Sequence, residues 1–261
     1  MKTLKTRADV LLVARGVFDS RAKARAAIEA GGVTADGRVV AKASELIADD
    51  AQVQATPAHP WVGRGALKLV HALDLWPIAV DGRVVLDVGA STGGFTEVCL
   101  ARGAARVYAV DVGRGQLHPS IGSDPRVLAL EATDARHLTS ALIPESPELI
   151  VADVSFIALE KALPAALGLA SAGADLIALV KPQFEVGRER VGKGGIVTDA
   201  EARAGALTAV KAFLAAGGWA VQASTDSPIE GGDGNREYLL WAVKSQPPLI
   251  PDEWVCQSTT A

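Results

Sequence analysis

Residues 84–97 read VVLDVGASTGGFTE. The β-branched opening, Val84-Val85-Leu86, predicts a strand that closes on Asp87-Val88-Gly89. The small residues Ala90, Ser91, Thr92, Gly93 and Gly94 make a turn, and Phe95 opens a helical stretch. Strand, glycine turn and helix in that order put backbone N–H groups at a strand's carboxyl end, where open α/β sheets bind ligands. Three nucleotide chemistries compete for such a turn. A phosphate-cradling loop needs a lysine after its glycines, and none follows here. A dinucleotide turn needs G-x-G-x-x-G, whereas this one is Gly89-x-Ser91-x-Gly93-Gly94, with Asp87 where pyrophosphate would approach. A carboxylate there repels an anion and suits a cation. S-adenosylmethionine, with its ammonium and sulfonium, meets that condition. Asp111 closes the next expected strand, 24 residues beyond Asp87, where an acid can hold ribose hydroxyls.

Downstream, apolar runs predict strands over 107–111, 127–130, 149–153 and 176–180, with Asp134 just after the second of these. Helices are expected over 92–102, 159–170 and 200–216. Two last strands, 219–224 and 237–243, are joined through the glycine-rich segment 231–235. Alternating β and α predicts an α/β fold, a doubly wound Rossmann-like sheet of seven strands with its last pair antiparallel. Asp153 and Lys181 close strands on the edge that holds Asp87 and Asp111. Glu237 begins a strand, and an antiparallel direction brings that start to the same edge. Lys68, on a helix expected over 65–75, precedes the first strand and can cover the crevice. Two amines and two carboxylates converging there make a network able to move a proton.

Upstream, 1–56 read as a small α+β domain, 57–63 as a linker extended by Pro57 and Pro60, 64–245 as the α/β domain and 246–261 as a tail. Thr6-x-x-Asp9 predicts a helix start with a hydroxyl cap and an acid in the first turn. Ser20 predicts a second cap, and Gly31-Gly32 a second stop. Arg21, Lys23 and Arg25 crowd the second helix. Short strands are expected at 32–34, 38–40 and 51–55.

The net charge of −4 hides an asymmetry: residues 1–68 carry a balance of +4 and residues 69–261 one of −8. The basic surface is concentrated at the front, an asymmetry that permits RNA binding without proving it. With 261 residues and 49% hydrophobic content the chain can bury a full core. Cys99 and Cys256 share no metal or redox spacing, and the four histidines form no H-E-x-x-H, so no metal is expected. No uncharged apolar stretch approaches the ~20 residues a membrane helix needs, and a cytoplasmic protein without a membrane partner is expected.

Two resemblances sharpen this reading. The run RADVLLVARGVFDSRAKARAAIEAGGVTADGRVVAKAS resembles the S-four type RNA-binding domain, whose core motif falls on Ser20-Arg21, Ala24, Ile28, Gly31 and Val33. The fragments GRGALKL, LDVGASTGGFTEVCLARGAARVYAVDVGRGQL, DVSFIAL, LVKPQFEVGRERVGKGGIV and GNREYLLWAV resemble the TlyA-type (haemolysin A) ribosomal RNA 2′-O-methyltransferases, which join an S-four type domain to an FtsJ-like methyltransferase. The resemblance implies a catalytic tetrad of Lys68, Asp153, Lys181 and Glu237. It implies S-adenosylmethionine over Asp87, Gly89, Ser91, Gly93, Gly94 and Phe95, with Asp111 near the ribose and Asp134 near the adenine. It implies cytidine 2′-hydroxyls of 23S rRNA as substrates, with 16S rRNA added in longer members. RNA docking then falls to Arg21, Lys23, Arg25 and Arg64, with the loop Arg188-Glu-Arg190-x-x-Lys193, in a monomer or weak dimer. The chain departs from the family before Trp61-Val62, where His59-Pro60 stand in place of an arginine common among relatives. A non-catalytic RNA-binding factor and a haemolysin are the rival classes. The intact glycine turn and all four charged residues count against the first; the lack of a membrane helix or strongly amphipathic basic helix counts against the second.

Overall fold

The computed structural model describes residues 4–232 and 234–245 and divides the chain into two units, Met1–Pro60 and Trp61–Ala261. The tail expected over 246–261, with Cys256, lies outside the described residues.

In the front unit, Thr6 is not a helix cap. It lies in β1 (Lys5–Arg7), opposite Ile47 of β4 (Leu46–Ala48) in an antiparallel pair. Helix α1 (Ala8–Ala14) starts directly after that strand with no side-chain cap. Asp9 does stand in the first turn of α1, as expected, and is buried there at 3% exposure. Helix α2 (Arg21–Glu29) does begin at a cap, since Ser20 Oγ accepts the Lys23 N–H at 3.3 Å. Strands β2 (Val33–Ala35) and β3 (Arg38–Val39) meet through Asp36-Gly37, both at positive φ (49° and 76°), the turn that matches strand twist. Strand β5 (Val53–Ala55) pairs with the other side of β2. Ala8, Leu12, Ala24, Ala27, Ile28 and Val33 form the centre of its core.

The second unit carries α3 (Ala66–Leu75), β6 (Val84–Val88), α4 (Gly94–Ala101), β7 (Arg106–Val110), α5 (Pro119–Gly122) and β8 (Val127–Leu130). It continues with β9 (Leu149–Ala152), α6 (Leu159–Ala162), α7 (Pro164–Leu169), β10 (Asp175–Val180), α8 (Pro182–Glu185), α9 (Ala200–Ala216), β11 (Trp219–Asp226) and β12 (Tyr238–Lys244). The sheet order is β11-β12-β10-β9-β6-β7-β8. Its five consecutive strands from β10 to β8 run parallel, and β12 is antiparallel to both β10 and β11. This is the doubly wound, seven-stranded α/β sheet that the alternation predicts.

Apolar runs make these strands because both faces are covered. Neighbouring residues fall into opposite cores: Leu86, Ile150 and Leu176 on one face, Val85, Val151 and Ile177 on the other. All six are 0% exposed, each worth roughly 1.5–3 kcal/mol of burial. The helix expected over 159–170 is broken in two, because Pro164 lacks an N–H for the preceding turn. Helix α4 starts at Gly94 rather than 92, since Gly93 at φ 93° is left-handed. Strand β11 extends to Asp226, with an irregularity between Val221 and Ala223. Among the described residues no helix is long and apolar enough to cross a membrane.

Candidate functional site

Strand order reverses between β6 and β9, and a cavity of about 540 Å³ opens outside their carboxyl ends. Gly89 turns the chain at the end of β6 with φ 88°, and any Cβ there would sit 2.6 Å from the Asp153 carbonyl oxygen. Only glycine fits. Ser91, also at positive φ (48°), donates its N–H to Asp111 Oδ2 at 2.8 Å, and Gly113 N–H meets Asp111 Oδ1 at 2.7 Å. Asp111 thus joins the ends of β6 and β7. Asp134 accepts the Arg136 backbone N–H and its guanidinium, which together hold the Asp134 carboxyl down at about 2.

Of the residues expected at the donor site, Gly89, Ser91, Asp111 and Asp134 line the cavity, and so does Asp153. Asp87, Gly93, Gly94 and Phe95 stand behind it. Gly93 packs against Leu117 and Ile121, and Phe95 is buried in the core under the turn. Asp87 is 0% exposed and receives the Thr96 hydroxyl at 2.6 Å, while its Oδ1 has no hydrogen-bond partner. Burial pushes its carboxyl up to about 7, and the Thr96 bond only partly offsets this. Asp87, expected at the ligand's edge, is thus placed beneath the turn and not in the cavity lining.

The four residues of the charged network form two pairs. Lys68 Nζ on α3 lies 2.5 Å from Glu237 Oε2, with side chains only 8% and 2% exposed. Lys181 Nζ lies 2.5 Å from Asp153 Oδ1. Antiparallel β12 explains the first pair: Tyr238 stands opposite Val180, so Glu237 and Lys181 leave neighbouring strands at one edge. A Cβ on Gly65, at the start of α3, would lie 3.5 Å from Asp153 Oδ2, so the helix bearing Lys68 begins against the second pair.

Several residues here lie within the fragments that carry the resemblance, yet were given no role from the sequence. Ser155 lines the cavity and accepts a hydrogen bond from Lys181 Nζ at 2.8 Å. Phe156, 91% exposed, sits at φ 66° with its ring 5.2 Å from that of Phe184. Glu185 accepts the Leu159 N–H, and burial raises its carboxyl to about 7. Asn235, 1% exposed, ties Val197 N–H and Gly195 C=O to the segment before Glu237. The Gly-Asn pair at 234–235 was the one available hint, since asparagine is a habitual turn residue.

The three basic residues expected to dock RNA from the front unit, Arg21, Lys23 and Arg25, are each paired with an acid. Asp9 accepts Arg7 Nε at 3.0 Å and Arg21 Nη2 at 2.6 Å, which hold its carboxyl well below the usual range. Lys23 meets Asp19 at 2.9 Å and Arg25 meets Glu29 at 2.6 Å, both one helical turn apart. Arg64, in the second unit, is exposed, as are Arg188, Arg190 and Lys193.

The family model of FtsJ-like methyltransferases matches residues 61–244, and that of the S4 domain matches residues 6–53. The 16S/23S rRNA (cytidine-2′-O)-methyltransferase TlyA of Mycobacterium tuberculosis is 49% identical over 239 residues, covering 91% of this chain and 89% of that protein. YqxC of Bacillus subtilis, provisionally named an rRNA methyltransferase, is 45% identical over 243 residues, 92% of this chain and 86% of its own. A solved structure from Streptococcus thermophilus, provisionally named a hemolysin, is 39% identical and superposes with a TM-score of 0.74. That match covers 94% of this chain and 90% of the other.

Proposed function

The chain belongs to the FtsJ-like methyltransferase family and carries an S4 domain in front, and from that premise we propose that it methylates a cytidine ribose 2′-hydroxyl of ribosomal RNA with S-adenosylmethionine. The first substrate to assay is 23S rRNA, with 16S rRNA beside it. One observation carries the reading: two nearly buried lysine–carboxylate pairs converge at the sheet edge where the glycine turn opens.

The residues present suit a cationic nucleoside. Gly89 leaves backbone where a side chain would block approach, and three acids (Asp111, Asp134 and Asp153) line the wall. Bound there, S-adenosylmethionine would supply an electrophilic methyl group on sulfur, with a neutral thioether as the leaving group. Asp111 holds the ribose hydroxyls and Asp134 the adenine edge, while Asp87, Gly93, Gly94 and Phe95 keep the turn in shape. A ribose hydroxyl is a weak nucleophile, so its proton must leave as the new O–C bond forms. Lys181 Nζ takes that proton from a rigid strand end. Asp153 and Glu237 position the two amines, and Lys68 keeps a positive charge beside the oxygen. Arg21, Lys23 and Arg25 of the front unit, with Arg64 and the 188–193 loop, contact RNA phosphates.

The test is nucleoside mass spectrometry of both rRNAs from strains with the gene, without it, and with Lys181→Ala. Loss of a 2′-O-methylcytidine in the last two is expected. Identical rRNA in all three would leave only a non-catalytic RNA-binding factor or the haemolysin name.

A further inference from the structure

We infer that Ser155 is a positioning residue for methyl transfer, its Oγ fixing the direction in which the Lys181 amine presents itself to the acceptor hydroxyl. The inference rests on the proposed role of Lys181 as base and adds a residue to it.

Lys181 Nζ has two recorded partners, and they differ in kind. Asp153 Oδ1 lies 2.5 Å away, yet it forms no hydrogen bond of acceptable angle. While the amine is protonated that attraction is charge for charge, which falls off with distance and hardly selects a torsion, and once the amine is neutral the carboxylate no longer holds it by charge. The directed hydrogen bond on the amine goes to Ser155 Oγ at 2.8 Å. A neutral amine has two N–H bonds and one lone pair around a tetrahedral nitrogen. With one N–H on Ser155 and the other turned to Asp153, the lone pair is left for the acceptor hydroxyl. After transfer the O–H proton sits on Nζ as a third N–H, and the bond to Ser155 persists in both states. Without Ser155, the amine can rotate about its terminal bonds while staying close to Asp153.

The fold builds this contact deliberately. Ser155 follows β9 by three residues, and Phe156 at φ 66° turns the chain in a region that a bulky side chain rarely adopts. The same loop is fastened twice more to the segment after Lys181, through Phe156 on Phe184 and Leu159 N–H on Glu185. Strain held by neighbouring clamps is the mark of a conformation kept for placement. Ser155 itself is exposed and lines the cavity, so truncating it opens no hole in the core.

The test uses the full-length protein, S-adenosylmethionine and rRNA in steady state, with Ser155→Ala, Ser155→Val and Ser155→Thr. Ala and Val should lower kcat by roughly 10- to 100-fold, the worth of one hydrogen bond to a charged group. KM for donor and RNA should stay within about twofold, since uniform binding is untouched. Thr, the same shape as Val but with the hydroxyl, should recover most of the rate. Adding Ser155→Ala to Lys181→Ala should cost nothing further, because a residue acting through another has no effect once the other is gone. Full kcat in Ala and Val, a Thr variant as slow as Val, a loss confined to KM, or an additive double variant would each overturn the assignment. If Lys181→Ala alone keeps the wild-type rate, the reading of the base falls and Ser155 with it. If Lys181→Ala is inactive and Ser155→Ala is not, only Ser155 falls.

Discussion

In the front unit Asp9 is 3% exposed, and the arginines that hold it keep 47% and 61% of their side chains in solvent. In the sheet unit Lys68 and Glu237 are both withdrawn, at 8% and 2%, and Lys181 stands at 10% beside Asp153. The first arrangement buries an acid under cations that cannot give up a proton and whose outer faces remain free for phosphate. The second buries amines, which can. Guanidinium on the surface suits docking, and ammonium in a dry cleft suits proton transfer. Asp87 is a third case: buried like Asp9, but with no cation to hold it ionised. On the proposed reading the two units use similar residues for opposite ends, and the observed difference lies in which partner is kept dry.

The sharpest break in this contrast is Lys181→Ala. It should keep fold and donor binding while losing ~10²–10⁴-fold in methyl transfer, the range for a positioned acid–base group. Lys181→Arg should be nearly as inactive, since guanidinium stays protonated. Single-turnover assays of an Arg variant with substantial activity would show that charge alone suffices, and the contrast between the units would collapse.

Next in size is the pH dependence of the sheet unit. Asp87 titrates at about 7 in the fold against an ordinary value of 3.8. Between roughly pH 4 and 7 the unfolded chain gives up a proton that the fold retains, so stability falls as pH rises through that window and levels off above it. Asp87→Asn, neutral throughout, should reduce this slope by up to about 1.4 kcal/mol per pH unit, the share of one proton, leaving that of Glu185, whose carboxyl is raised in the same direction. All five tryptophans lie at residue 61 or beyond, so tryptophan fluorescence during urea unfolding follows this unit. An unchanged slope in the Asn variant would mean that Asp87 is ionised in the fold.

Asp9→Asn should show the opposite sign. The Asp9 carboxyl is held low, so its stabilisation is present above about pH 4 and is lost as pH falls below it. Removing the charge should cost the front unit ~1–3 kcal/mol at pH 7, as for hydrogen bonds to charged groups. Hydrogen exchange over 5–55 would read that loss, with donor affinity unchanged. Smallest is Lys23→Ala with Arg25→Ala. These exposed pairs stabilise the helix by ~0–1 kcal/mol, but the double variant should lower the salt slope of RNA binding by about two phosphate contacts. Arg21 is better left in place here, because its loss would confound docking with the Asp9 pair. A slope equal to wild type would mean that this helix faces away from RNA.

The central sheet was legible in the sequence because both its faces are dry, which writes strands as unbroken apolar runs such as 149–152 and 176–180. Strands β1 and β4 were not, because three residues each are held by their mutual pairing across about forty positions and leave no local period. The glycine turn announced itself, since φ 88° at Gly89 admits little else. That Asp87 faces away from the cavity depended on Thr96, a helix residue whose hydroxyl looks ordinary in the sequence. The pairing of Lys68 with Glu237 spans 169 positions; the topology brought both to one sheet edge, but which amine meets which carboxylate was not legible. Ser155 sits inside the quoted fragment DVSFIAL, but its contact with Lys181 was not legible: a serine after a strand is common, and its placement comes from a backbone turn at Phe156 that composition does not encode.

The antiparallel last strand has a consequence for how the molecule is made. Translation delivers β10 before β12, and until β12 arrives the run Asp175–Val180 is an open edge whose six residues are all destined for burial. Such an edge invites pairing with another nascent chain. Over the same interval Lys68, already synthesised, has no carboxylate to meet, because Glu237 comes one residue before the closing strand. Sheet closure and completion of the charged cluster are therefore a single late event. Until that event the Asp175–Val180 edge has no partner strand on this side and Lys68 has no Glu237 to meet.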